Sequence, residues 1–174
     1  MAATMPNAAY RIRDARSDDA DAVTAMWLKM AAQHTAYNRV RWGWADDAEA
    51  VWRGTFKESV AKQDCVVLVA VDPADRPVGY LMAKIGPTPP IFAARHRGEV
   101  TDMFVCPSWR RKGVGKALLQ RATDVVEARG AAFVVLNVAS ANASAIHFYE
   151  TCGFRTLVQQ MFMQVNNSGT ESQT

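Results

Sequence analysis

The sequence predicts a mixed α/β domain with a mostly antiparallel sheet, one parallel strand pair near its end, and helices on its flanks. Three observations predict it. Two apolar runs, "CVVLVAV" from Cys65 and "VGYLMAKI" from Val78, flank "DPADRP", whose Asp and Pro residues mark a tight turn and so a hairpin. Farther on, the strand pattern "EVTDMFVC" leads into a helical run and then into the apolar "AAFVVLNVA", the order of strand, crossover helix and strand. Ahead of both lie two stretches whose apolar residues recur at helical spacing.

Taken in order, Tyr10 to Arg13 reads as a short strand. Ser17 can cap the first helix, with Asp18 and Asp19 in its first turn and Val23, Met26, Trp27 and Met30 on one side. His34 closes that helix just before the aromatic connection "TAYNRVRWGW". A second helix is expected from Asp46 or Asp47 to Val60, burying Val51, Trp52, Phe56 and Val60. After the hairpin, "GPTPPIFAARHRG" holds three prolines and two glycines and reads as a long loop. The helix from Gly113 to Arg129 ends at Gly130, a natural C-cap. The helix "NASAIHFYETC" starts on Asn142 as N-cap and stops at Gly153, and "RTLVQQMFMQV" reads as a final strand.

A chain of 174 residues that is 49% hydrophobic can bury one good core. We expect a single domain over residues 10–165, with the small, polar ends 1–9 and 166–174 disordered. Twenty Lys and Arg against seventeen Asp and Glu give a net charge of +3, too mild to indicate nucleic acid. Three widely spaced cysteines indicate neither a disulfide framework nor a metal site, and no run is long and apolar enough for a bilayer or a signal peptide. A cytoplasmic protein without a metal or a membrane partner is the expectation.

The stretch "RRKGVGKALL" sets cations and two glycines at the start of a helix. A helix N-terminus carries unsatisfied N–H groups and the positive end of the macrodipole, and glycine lets a bulky anion approach those amides. Phosphate is the natural guest. Neither the GxxxxGK[ST] spacing of a nucleotide P-loop nor the GxGxxG dinucleotide fingerprint is present, so the pyrophosphate of another carrier is the candidate. The competing reading is a tight turn beside a solvated basic face.

Val105, Pro107, Arg110, Gly113 and Gly115 resemble the VxPxxRxxGxG signature of the GNAT superfamily, the general-control-related N-acetyltransferases that use acetyl-coenzyme A. Asn142, Ala145, Phe148, Tyr149, Glu150, Gly153 and Phe154 are similar to a second family block, N-x-x-A-x-x-F-Y-E-x-x-G-F. The two motifs span residues 99–154. The resemblance implies the GNAT fold, in which the strand before the glycine loop splays from its parallel neighbour and pantetheine lies in the gap. It further implies that the backbone of Met103, Phe104 and Val105 holds pantetheine and that the amides from Arg111 through Lys112, Gly113, Val114 and Gly115 to Lys116 hold pyrophosphate. Arg110 and Lys116 add charge, while Arg111 or Lys112 faces solvent or the adenosine 3'-phosphate. Asn142 is both a cap and a coenzyme contact.

Acetyl transfer needs a neutral amine, donors for the developing oxyanion and a proton for the departing thiolate. The resemblance points to Glu99 as base, to a backbone N–H of residues 103–105 for the oxyanion, and to Tyr149 as acid. In ideal alternation Glu99 shares a face with Thr101, Met103 and Val105, and Asp102 points to the opposite face. Glu99 can instead pair with Arg95 or Arg97, and Tyr149 can be a packing residue. The resemblance places the acceptor near the first helix, where His34, Tyr37, Trp42 and Trp44 are the candidate substrate residues. The implied acceptor is a primary amine of a small molecule or peptide, and a homodimer is implied by habit of the family. The alternative from another class is a non-catalytic acyl-coenzyme A sensor on the same fold.

Overall fold

The computed structural model describes residues 9–165. The expected disordered ends lie outside these residues apart from Ala9. Strand β1 (Arg11–Asp14) is followed by a 3-10 turn (Ser17–Asp19) and helices α1 (Ala20–Tyr37) and α2 (Ala48–Ala61). Then come β2 (Cys65–Val71), β3 (Pro77–Pro87) and β4 (His96–Val105), helix α3 (Val114–Ala128), β5 (Val134–Leu136) and α4 (Ala143–Thr151). One five-stranded sheet runs β1-β2-β3-β4-β5, antiparallel except for the parallel β4–β5 pair, which the α3 crossover joins.

The sheet carries a core on each face. Val67, Val69, Tyr80, Met82 and Phe104 meet Val23, Trp27 and Phe56 of α1 and α2; Leu68, Leu81, Ala83 and Val100 meet Leu118, Ala122 and Val126 of α3. Strands buried on both faces explain why β2 reads as an unbroken apolar run. In the β2–β3 turn the Asp72 carboxylate accepts from the backbone N–H of Ala74 and Arg76 at 2.9 and 3.0 Å, which lets Asp75 adopt a φ of 61°.

Four expectations are corrected. Ser17 does not cap α1; it opens the 3-10 turn, and Asp19 holds that turn by accepting from the Arg16 N–H at 2.7 Å. Val51 faces solvent, because the buried stripe of α2 passes through Trp52 and Phe56. The long loop is trimmed to residues 88–95, since β3 and β4 continue as a ladder out to Pro87 and His96. The final strand does not form: residues 155–165 have no ladder partner, and Leu157, Val158, Met161 and Met163 are exposed. Apolar β-formers make a strand only when an edge accepts them, and β5 offers one of three residues.

Candidate active site

The parallel pair is short. Only Gly98, Glu99 and Val100 register with Val134, Val135 and Leu136, after which β4 runs on to Val105 with no partner on that side. The unpaired edge opens a cavity of about 620 Å³ between β4, residues 136–139, α4, the start of α3 and α1. Met103, Phe104 and Val105 line it.

At one end the cavity meets the N-terminus of α3. Gly113 caps that helix with a φ of 82°, Arg111 also has a positive φ of 60°, and no side chain bonds the helix end. The first intrahelical bond runs from the Ala117 N–H to the Gly113 carbonyl at 2.9 Å, so the Val114 to Lys116 amides are left as donors at the cavity. These amides fit a pyrophosphate. Gly115 has little room beside it, since a Cβ there would lie 3.2 Å from Met103 Cε and Phe148 Cζ. Arg110, Arg111, Gly113, Gly115 and Lys116 line the cavity, as does Asn142, whose side chain accepts from the Ala145 N–H at 3.2 Å. Arg110 also donates to the Val105 carbonyl at 2.9 Å and covers the Phe104 ring, which ties the loop to β4. Val114 instead enters the core, and Lys112 turns onto the Trp109 ring, 5.1 Å away, so Arg111 is the flanking cation that reaches the cavity.

At the middle sits Tyr149 of α4, whose hydroxyl donates to Met103 Sδ at 3.9 Å. Burial, with a smaller contribution from Cys152, pushes its pKa up to about 12, so it keeps its proton at neutral pH.

Beyond it lies an aromatic end. His34, Trp42 and Trp44 line it together with Trp27, Met30 and Gln33. Trp27 stacks on Trp52 at 5.2 Å and takes the edge of Trp44 at 5.1 Å, while Trp44 Nε1 donates to the Ala31 carbonyl and the Thr35 hydroxyl to the Trp42 carbonyl. His34 Nδ1 lies 2.9 Å from the Met30 carbonyl, which can only accept, so Nδ1 carries a proton, and in the neutral ring Nε2 is left as acceptor. Tyr37 is not in the lining; its hydroxyl accepts from Gln33 at 2.6 Å.

The faces of β4 differ from ideal alternation. A bulge leaves Thr101 unpaired, because Met82 registers with Asp102 while Ala83 registers with Val100. Alternation is reset there: Val100, Met103 and Val105 all pack toward α3, whereas Asp102 and Phe104 turn toward α1 and α2. Glu99, opposite to Val100, is therefore not on the Met103 face. Its carboxylate pairs with Arg97 at 3.2 Å, and it does not line the cavity. Asp102 does. Burial pushes the Asp102 carboxyl above the usual carboxylate range, against the opposing effects of Thr101, His34 and Trp52. Trp27 and Asp102 were missed as site residues: helical spacing marks Trp27 only as core, and a bulge has no signature in residue types.

The raised Asp102 carboxyl has a signed consequence for stability. The folded state binds its proton more tightly than the unfolded state, so the ionised group opposes folding, and stability falls as pH rises from the ordinary carboxylate range through the folded value. Asp102→Asn is expected to melt at or above the parent temperature at pH 7, with the difference closing below about pH 4. Melting curves of both proteins at the two pH values check this.

Among the described residues there is no group of three or more His, Cys, Asp or Glu suited to a metal, the three cysteines are free, and no helix is long and apolar enough to cross a membrane. The chain is 29% identical over 145 residues to an uncharacterized N-acetyltransferase of Methanocaldococcus jannaschii, covering 83% of this chain and 60% of that protein. It is 46% identical over 53 residues to the ribosomal protein bS18 alanine N-acetyltransferase of Escherichia coli, 30% of this chain and 36% of that one. It thus spans less than two thirds of these relatives. A crystal structure of a mutant Bacillus halodurans protein superposes with a TM-score of 0.82 at 22% identity, over 90% of this chain and 99% of that one, which speaks to the fold. The Acetyltransferase (GNAT) family matches residues 27–154, from the tryptophan of the aromatic end to the phenylalanine after the tyrosine helix, and this chain belongs to it.

Proposed function

We propose that the protein is an acetyl-coenzyme A-dependent N-acetyltransferase that moves an acetyl group directly to a primary amine of a small molecule or peptide. The observation that carries this reading is one continuous cavity joining the uncapped amides of α3, the unpaired edge of β4, Tyr149 and the aromatic end. The thioester donor supplies an activated acetyl carbon. The chain's residues do the rest. The edge of β4 from Thr101 to Val105 offers backbone groups to an extended ligand as a further strand would. The α3 amides, Arg110, Arg111 and Lys116 hold the phosphates, and Asn142 adds a contact beside them.

Asp102, or water held by it, takes the proton that the ammonium must lose, in the role the sequence assigned to Glu99. The freed lone pair forms the N–C bond as the C–S bond breaks, a backbone N–H of residues 103–105 faces the carbonyl oxygen, Tyr149 gives its proton to the thiolate, and the second proton lost by the nitrogen restores the Tyr149 hydroxyl. The products are an N-acetylamine and free coenzyme A. No covalent enzyme intermediate is involved, because Cys152 has no base arranged to activate it. The reading extends to a cytoplasmic homodimer without nucleic-acid or membrane partners; three free thiols and the exposed apolar segment 155–165 support it.

Acetyl-coenzyme A is expected to raise the melting temperature of the protein, and Gly115→Val to abolish that rise, because a side chain there stands between α3, Met103 and Phe148 at the phosphate end. Thermal-shift titration of both proteins, with amine-dependent thiol release alongside, checks it. No shift with the parent protein means that the cavity does not hold the donor.

A further inference from the structure

The cavity has two ends of opposite chemistry. Its phosphate end carries Arg110, Arg111 and Lys116, whereas its α1 end is walled by Trp27, Met30, His34, Trp42 and Trp44 and closed by Asp102. Asp102 is the only acidic residue in the lining, and the α1 end contributes no Lys or Arg to it among the described residues. Arg41 lies over the Trp42 ring at 5.6 Å and stays out of the lining.

We propose that the acceptor is an arylalkyl monoamine, a single ammonium on a flat apolar body with no carboxylate beside it; this rests on the acetyltransferase reading above. An ammonium set between a buried carboxylate and indole faces gains both a charge-assisted bond and a cation–π contact. In the neutral ring His34 adds a second acceptor, Nε2. An α-amino acid brings a carboxylate within a few ångströms of Asp102, a like charge that repels it, at an end of the cavity where α1 and its loop supply no Lys or Arg. Polyamines and amino sugars carry several ammonium groups for which the lining holds one carboxylate, and the tryptophan walls satisfy none of their hydroxyls. The indoles instead match an aromatic ring in size and polarity.

The test is kcat/KM for tryptamine and 2-phenylethylamine against tryptophan, phenylalanine, spermidine, kanamycin and an alanine-starting peptide, with the acetyl-coenzyme A thermal shift measured in parallel. Tryptamine is expected to exceed tryptophan by at least about 100-fold. Asp102→Asn is expected to raise KM for tryptamine and to narrow that ratio, since the same carboxylate that attracts the ammonium repels the acid. Trp44→Ala is expected to weaken both aryl amines without changing the acetyl-coenzyme A shift. A shift with acetyl-coenzyme A but equal or better use of tryptophan, spermidine, kanamycin or the peptide overturns this proposal and leaves the acetyltransferase reading standing. So does a shift with no turnover of either aryl amine. Absence of the shift removes the donor site itself, and the proposal with it.

Discussion

Tyr149→Phe is expected to lower kcat for acetyl transfer by about 100-fold or more, while acetyl-coenzyme A binds as before. The substitution removes one oxygen and keeps the ring that packs against Phe148 and Phe154 at 5.2 and 5.8 Å, so the fold around it is undisturbed. The lost atom is the hydroxyl that burial keeps protonated, with a pKa of about 12. A thiolate leaving without that proton departs as a free anion. Because the hydroxyl does not titrate near neutrality, the acid side of catalysis puts no descending limb on the pH profile below about pH 11. The rising limb belongs to the base, and it is placed above the ordinary carboxylate range by the burial of Asp102. Steady-state rates of parent and variant across pH check both parts. A Phe variant within about threefold of the parent assigns the proton to another donor.

The second large effect is on stability, far from the chemistry. Asp19→Ala is expected to cost about 3–5 kcal/mol, a fall in melting temperature of about 10 °C for a domain of this size. Both carboxylate oxygens of Asp19 receive the Arg13 guanidinium at 2.8 Å, with side chains only 8% and 12% exposed, and the Arg16 N–H completes the set. Removing the acid leaves a buried guanidinium with Asp75 and the Asp14 carbonyl, each at 3.1 Å, as its remaining partners. Burial alone raises the Asp19 pKa, but the bonds from Arg13 and Arg16 outweigh it and leave it below the usual value. A depressed folded pKa means stability that is present above the unfolded carboxylate pKa and is lost as pH falls through the folded one. The cost of the variant therefore shrinks below about pH 4. Denaturant unfolding of parent and variant at pH 7 and pH 3.5 measures it.

These two residues also show what residue patterns carry and what they do not. The hairpin, the crossover and the caps Asn142 and Gly130 were legible because each follows from a local preference: β-branched runs, an Asx turn, a side-chain acceptor, a left-handed glycine. The phosphate end was legible because glycine spacing is itself the geometry. Asp19 was read as a first-turn helix charge, yet its role depends on Arg13 arriving from a strand that pairs with β2 and on the neighbouring hairpin turn. Asp102 depended on the extra residue at Thr101, and one residue of slip exchanges the two faces of a strand. Residues 155–165 are apolar enough for a strand and lack an edge to join. Pairing is a property of two segments, and a pattern along one reports half of it.

The three-residue seam between β4 and β5 has a consequence for how the molecule comes apart. Helix α4 has no fully buried side chain, and β5 is joined to the sheet by three register pairs, whereas β2 and β3 are laced along their whole length. The unit that holds Tyr149 thus opens at lower free energy than the four antiparallel strands. A ligand lying along β4 bridges that unit to the rest, so occupancy converts a hinged flap into part of one rigid body. Tyr149 would then be held in register only while such a ligand is bound.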